Sequence, residues 1–303
     1  MKIRHGLTRE LDRPLVLAIG FFDGMHLGHR EIVRSTLRMR KPGRRAGVLT
    51  FANHPASFLR PGTQPALLAT PQERLDRLAE VGFEECFFVP FDERIAAMNP
   101  REFLDALVTG LGVCGIAIGE TFRFGHKRMG DVDLMRSFLA PRNVEIVAVP
   151  SVTFDGERVS STRIRALVSA GDIERADALL GCAYELRGTV EIGAGRGHGL
   201  GFPTANIRPP EKLLPKDGVY AAVARYDGRD YAALLSVGTN PQFGEGEQTV
   251  EVWMRDFRGT IYGRELFVRD LRFVRAQHAF ASVDDLVAQM RRDLEAVAYP
   301  SFA

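Results

Sequence analysis

Up to Gly181, hydrophobic positions follow two alternating rhythms. The runs "LVLAI" (15–19), "AGVLTF" (46–51), "ECFFVP" (85–90), "GIAIG" (115–119) and "VEIVAV" (144–149) are short and continuously apolar, the pattern of strands buried on both faces. Between them, "HREIVRSTLRM", "PQERLDRLAEVG", "PREFLDALVTGLG" and "DVDLMRSFLA" space their apolar residues at helical intervals, as in Phe103, Leu104, Leu107 and Leu111, with Pro as a start signal and Gly as a stop. Strand–helix–strand repetition predicts an α/β unit on a doubly wound parallel sheet. Ligands of such sheets bind beyond the carboxyl ends of the strands.

Two helical stretches, "TRIRALVSAG" and "DIERADALLG", end at Gly181, and the rhythm then changes. "YELRGTVEIG", "GVYAAVARYDGRDYAALLSVG", "QTVEVWMRDF" and "RELFVRDLRFV" read as strands divided by turns, and "YDGRD" sets Asp-Gly between two alternating runs, a hairpin signal. A last helix is predicted over "SVDDLVAQMRRDLEAVA". Ser282 is placed to cap it, Asp285 completes a capping-box-like pair, and Leu286, Met290 and Leu294 form its buried stripe. The expected architecture is an antiparallel barrel or sandwich closed by one helix. The boundary near 182–184 gives domains 1–183 and 184–303.

Composition narrows the class. The chain has 303 residues, 45% of them hydrophobic, enough for two cores. Its 40 Lys and Arg nearly balance 38 Asp and Glu, and a net charge of +2 supplies no general attraction to nucleic acid. Cys86, Cys114 and Cys182 lie far apart with no CxxC pair, which suits a reduced cytoplasmic protein without structural zinc. The N-terminal residues lack an apolar signal-peptide core, and no run is long enough to span a bilayer, so no membrane partner is expected. Self-association is left open.

Chemistry enters at "GFFDGMHLGHR" (20–30). Gly20 ends a strand, Gly24 and Gly28 clear side chains from the turn, and His26 and His29 stand at the start of a helix. A helix N-terminus offers unpaired N–H groups and partial positive charge, both favourable to phosphate, and two imidazoles add adjustable donors. "VSSTRIR" (159–165) opens another helix with Ser161 and Thr162, then sets Arg163 and Arg165 in its first turn, where cations oppose the helix dipole. An anion docked there would explain them. The loop "FRFGHKRMG", with Phe122, Phe124 and Arg128, is either a flavin or phosphate contact or a mobile basic loop.

"GAGRGHGLGFPTAN" (193–206) has glycine at every other position from 193 to 201, which fits neither GxGxxG nor a P-loop. Its backbone N–H groups can still meet phosphates. Thr204 and Asn206 point the same way in an extended segment and supply hard, neutral oxygens suited to Mg²⁺. In "TVEVWMRDF", Glu251 faces opposite Val250 and Val252, a candidate base for an attacking hydroxyl.

H-x-G-H after a strand, followed later by S-S-T-R-I-R, is similar to the nucleotidyltransferase superfamily, which includes class I aminoacyl-tRNA synthetases. The ordered set "GFFDGMHLGHR", "TFANHP", "FRFGHKRMGD", "VSSTRIR" and "GFPTAN" resembles the bacterial bifunctional riboflavin kinase/FAD synthetases over nearly the whole chain. The resemblance implies a Rossmann-like nucleotidyltransferase domain with a parallel sheet, then an antiparallel β-barrel kinase domain with a closing helix. It implies ATP as co-substrate, Mg²⁺, riboflavin as substrate, and FMN and FAD as products.

Residue roles follow from the same resemblance. His26 and His29 would hold the ATP phosphates in the adenylyltransferase, with Arg163 also catalytic. Gly20, Phe21, Asp23 and Gly28 would line the ATP turn, and Ser161, Thr162 and Arg165 would clamp nucleotide and pyrophosphate. Asn53, Thr121, Phe122, Phe124 and Arg128 would meet the flavin. In the kinase, Gly195, Gly197, Gly201, Pro203 and Thr204 would bind ATP, Thr204 and Asn206 the metal, and Glu251 would be the base. Two departures stand out: Thr121 occupies a place where the family usually has Asp or Asn, and Gln242 one where it usually has Thr. A kinase with weakened or lost adenylyl transfer, and a non-catalytic flavin or nucleotide sensor, remain as alternatives. A tRNA-charging role lacks a broad basic face.

Overall fold

The computed structural model describes residues 1–7, 13–192, 204–208, 210–239, 248–278, 280 and 282–296. Gly195, Gly197, Gly201, Pro203 and Gln242 lie outside the described residues, as does the side chain of Leu286. The chain divides into two units, Met1–Ser161 and Thr162–Ala303.

The first unit is built on six parallel strands, β1 (Lys2–Arg4), β2 (Leu15–Ile19), β3 (Arg45–Phe51), β4 (Glu85–Val89), β5 (Val113–Gly119) and β6 (Glu145–Val149), in the order β1-β4-β3-β2-β5-β6. Its helices are α1 (Leu27–Arg38), α2 (Pro55–Leu59), α3 (Pro71–Glu80), α4 (Glu93–Ala97), α5 (Pro100–Asp105), which runs on into a π turn at Ala106–Gly110, and α6 (Val132–Leu139). Every residue of β2 is buried, and its alternation feeds two cores. Leu15, Leu17 and Ile19 pack with Phe103, Leu104, Leu107, Met135 and Leu139 from α5, its π turn and α6. Val16 and Ala18 pack with Ile32, Val33, Leu75 and Leu78 from α1 and α3. A continuously apolar strand is what a sheet covered on both faces requires.

The edge strand β1 has no apolar run behind it. Its register on β4 pairs Arg4 with Phe87, and the buried Glu85 carboxylate accepts from Arg4 Nε at 2.8 Å and Arg45 Nη1 at 2.5 Å. Ion pairing therefore supports that edge. Helix starts are conventional: α3 and α5 carry capping boxes, Thr70 with Glu73 and Asn99 with Glu102, each with Pro in the first turn. A two-stranded ribbon, β7 (Thr153–Phe154) with β8 (Glu157–Arg158), follows the sheet.

The second unit takes in α7 (Ser161–Ala170) from Thr162, then α8 (Ile173–Leu180), closed by Gly181 in the left-handed region at φ 70°. Six antiparallel strands form a closed barrel: β9 (Leu186–Glu191), β10 (Thr204–Ile207), β11 (Gly218–Tyr226), β12 (Arg229–Thr239), β13 (Gln248–Met254) and β14 (Glu265–Arg275), ordered β10-β13-β12-β11-β14-β9. Of the two expected architectures, barrel or sandwich, the barrel is found. Asp227 and Gly228 make the predicted hairpin turn with φ 48° and 75°. On α9 (Val283–Ala296), Ser282 Oγ accepts from Asp285 N at 3.1 Å and donates to the Asp285 carboxylate at 2.7 Å, a local variant of the capping box. The buried Asp293 of α9 takes both Nε and Nη2 of Arg275 at 2.8–3.1 Å, anchoring the helix to β14.

Candidate functional sites

The strand order of the first unit reverses between β2 and β5, whose neighbours run off in opposite directions. At such a switch point the crossover connections leave to opposite faces and open a crevice beyond the strand ends. A cavity of about 370 Å³ lies there, walled by Ile19, Gly20 and Phe21 from the end of β2 and by Gly119, Glu120 and Thr121 from the end of β5.

His26 and His29 line it together. His26 is the N-cap of α1, its Nδ1 accepting from His29 N at 3.3 Å, and the two rings stack at 3.7 Å between centroids. Gly28 leaves room for the stack, since a Cβ there would stand 3.2 Å from the His26 ring and crowd it. Burial, with the neighbouring His26 second, holds His29 well below the usual histidine range. His29 Nδ1 is buried and has no hydrogen-bond partner among the described residues.

The turn before α1 is held from outside the cavity. Asp23 is buried, and its Oδ1 accepts from Leu68 N and Ala69 N at 2.9 and 3.1 Å. Asp23 O accepts from Ser161 Oγ at 3.3 Å, which brings the Ser-Ser motif to the same wall. Phe22 and Met25 are left-handed at φ 56° and 50°, an unfavourable geometry for residues with side chains.

Among the flavin candidates, Thr121, Phe122 and Arg128 line the cavity, and Phe124 lies behind it in the core. The loop "FRFGHKRMG" is ordered: Phe124 and Gly130 form an antiparallel bridge, His126 N donates to Met98 O at 2.7 Å, and Lys127 and Arg128 are left-handed. Thr121 Oγ1 accepts from Arg158 Nη2 at 2.9 Å. The Asn53 amide is outside the cavity wall. Its Nδ2 donates to Phe91 O at 3.1 Å and its Oδ1 accepts from Phe91 N at 2.8 Å. Thr162, Arg163 and Arg165 continue along α7 in the second unit. Arg123, Arg158 and Ser160 also line the cavity, and the sequence reading had not singled them out. The signal was available, since each sits inside or beside a motif already quoted.

On the barrel, Asn206 is opposite Glu251, which is in turn opposite Ser236. Residues directly opposite share a face, so amide, carboxylate and hydroxyl form one polar row on the outside, while Val250, Val252 and Met254 fill the inside. Thr204 Oγ1 donates to Glu251 Oε2 across a long 3.5 Å. Thr204 also lines a cavity of about 410 Å³ with Val190, Val252, Met254, Phe257 and Tyr262. Among the described residues no group of three His, Cys, Asp or Glu could hold a metal ion. The oxygen pair of Thr204 and Asn206 is of another kind, hard and neutral, the chemistry that suits Mg²⁺.

Comparison with known proteins matches two families, FAD synthetase over residues 8–163 and riboflavin kinase over residues 180–299. The bifunctional riboflavin kinase/FMN adenylyltransferase of Listeria monocytogenes is 33% identical, over 96% of this chain and 94% of its own. Its namesakes in Bacillus subtilis (31%, 97% and 95%) and Escherichia coli K12 (33%, 95% and 93%) are similarly related. A crystal structure from Streptococcus pneumoniae, named a macrolide-efflux protein, is 30% identical with a TM-score of 0.88 over 97% of this chain and 98% of its own. No helix among the described residues here is long and apolar enough to cross a membrane.

Proposed function

The chain belongs to the bifunctional riboflavin kinase/FMN adenylyltransferase family, and we propose that its two reactions are divided between the two sites just described. It phosphorylates riboflavin to FMN and adenylylates FMN to FAD, with ATP as donor in both. We draw the division of labour at 183/184, with FAD formation in 1–183 and FMN formation in 184–303.

FAD formation is assigned to the cavity at the β2–β5 switch point. A phosphate oxygen of FMN attacks the α-phosphorus of ATP, the bond from that phosphorus to the bridging oxygen breaks, and pyrophosphate leaves. This needs alignment and neutralised charge, not a covalent nucleophile. The stacked imidazoles at the N-terminus of α1 support the assignment most, because both line the cavity. His26, His29 and the turn Gly20–Gly28, including Phe21 and Asp23, form the nucleotide side. Ser161 joins them, and Thr162, Arg163 and Arg165 keep their clamping role on the motif. Thr121, Phe122 and Arg128 form the flavin side, backed by Phe124. Asn53 is kept on this side by the motif alone, its amide being paired with Phe91 outside the cavity wall.

FMN formation is assigned to the outer face of β10 and β13. The ribityl 5′-hydroxyl attacks the γ-phosphorus, Glu251 accepts its proton, and ADP leaves. Thr204 and Asn206 would hold Mg²⁺, which would supply positive charge to offset that of the phosphates during the transfer. Gly195, Gly197, Gly201 and Pro203 are assigned to the phosphates on the motif. We place the enzyme in the cytoplasm, a reading supported by Cys86, Cys114 and Cys182, none of which forms a disulfide among the described residues.

Purified protein given riboflavin, ATP and Mg²⁺ is expected to accumulate FMN and then FAD, with pyrophosphate released only in the second step. Chelation of the metal should stop the first. FMN supplied alone with ATP and yielding no pyrophosphate would sink the assignment.

A further inference from the structure

Phe21 O accepts two hydrogen bonds, from Thr50 Oγ1 at 3.0 Å and from Arg74 Nη1 at 2.9 Å. Phe21 lines the first cavity, but neither donor does, and both are buried. The same guanidinium donates to Ala52 O at 3.3 Å through Nη2 and stands 4.2 Å from the centroid of the Phe21 ring. One side chain of α3 thus grips the residues just beyond β2 and β3 and the ring between them.

Burying a cation is costly, and an apolar side chain would fill the inner face of α3 without that cost. Burial pushes the pKa of Arg74 down to about 10, with Asp23 and then Cys86 acting against it, so the charge persists at neutral pH. The neighbouring carbonyls follow the same scheme. Gly24 O accepts from Arg77 Nη1 at 3.2 Å and Met25 O from Arg30 Nε at 3.1 Å. The oxygens of Phe21, Gly24 and Met25 are thus taken by guanidinium groups, none of which lines the cavity, while between them Phe22 O accepts from Met25 N and Asp23 O from Ser161 Oγ. Of the three residues held by guanidinium groups, Phe21 lines the cavity, and its oxygen, bound by two donors that stand outside the wall, is kept off an anion placed there. The left-handed Phe22 and Met25 show that this course is held against backbone preference.

We infer that Arg74, with Thr50, is a positioning residue for adenylyl transfer, clamping the Phe21 carbonyl and ring so that this part of the cavity wall keeps its place against the bound ATP. The inference rests on the assignment of FAD formation to this cavity. Neither side chain touches the nucleotide; both act through Phe21. Lysine in place of Arg74 keeps the charge but cannot bridge two carbonyls and lie flat on a ring.

Arg74→Lys and Thr50→Val in the full chain test this, with His29→Ala alongside. FAD formation is measured at varied ATP, riboflavin phosphorylation at saturation, and the folded fraction by thermal melting. Arg74→Lys is expected to raise KM for ATP in FAD formation and lower kcat/KM by about tenfold or more, as misplaced reacting groups do. Thr50→Val should move both in the same direction by a smaller factor, with riboflavin phosphorylation unchanged in each. A purely structural role would lower kcat in step with the folded fraction at an unchanged KM, and that result in Thr50→Val overturns the inference even if Arg74→Lys fails to fold. If His29→Ala leaves FAD formation intact, the site assignment fails instead.

Discussion

The imidazole of His26 lies over that of His29, with ring planes 14° apart and centroids separated by 3.7 Å. Two rings so close disfavour a second positive charge, and burial disfavours it further at His29. The unfolded chain takes up a proton on this residue near the ordinary histidine value of 6.5, while the native protein does not. The contribution of neutral His29 to stability is therefore complete above that pH and is lost progressively as pH falls below it. The melting temperature of the first unit should drop between about pH 7 and pH 5 more steeply in the wild type than in His29→Asn. Calorimetry at matched ionic strength checks this; equal slopes would mean that the native ring also accepts the proton.

Separate sites call for separable losses. Glu251→Ala removes the proposed base, a change worth about 10²–10⁴-fold in rate, and should abolish FMN formation while FMN is still converted to FAD. His29→Ala should do the reverse. A time course of riboflavin, FMN and FAD on both variants decides the matter, and parallel loss of the two reactions in either variant would contradict the division.

The parts of the fold that announce themselves locally are those whose cause is local. Five apolar runs became five of the six parallel strands, and Asp227–Gly228 turned where a left-handed pair was required. The edge strand β1 was not legible because what identifies it is Glu85, a distant carboxylate receiving Arg4 and Arg45. The site divides in the same way. His26, Gly28 and His29 suggest a phosphate turn because they stand between the end of a strand and the start of a helix. Arg74 looks like one more polar residue of an amphipathic helix, since its role arises from carbonyls at positions 21 and 52. The pairing of Asn53 with Phe91 is equally beyond any local pattern.

Asp293 supports the second unit from beneath. Its carboxylate is buried and receives Arg275 through two nitrogens and Gln289 through one. Removing one partner of such a pair leaves the other charge buried and uncompensated, at a cost of about 3–5 kcal/mol. Asp293→Ala should lower the urea midpoint of the second unit accordingly, with the first unit's transition unmoved. Exchanging both partners for apolar residues, Asp293→Leu with Arg275→Met, should recover much of the loss, since the pair's own net contribution is small.

The wall on the flavin side depends on a glycine outside it. A Cβ on Gly130 would come within 2.6–2.8 Å of three ring atoms of Phe124, closer than any real contact. Phe124 cannot retreat freely, because it is buried against Phe103 and bridged to Gly130 itself. Overpacking of this kind costs about 1–3 kcal/mol and moves neighbours rather than compressing them. On its other side stands the half-buried Phe122, stacked on Phe124 at 5.9 Å and lining the cavity. Gly130→Ala should therefore raise KM for FMN several-fold in FAD formation and leave KM for ATP close to the wild-type value. Initial rates with each substrate varied separate the two effects. Equal rises for both would mean that the substitution disturbs the whole crevice, and Phe122 would lose its place on the flavin side.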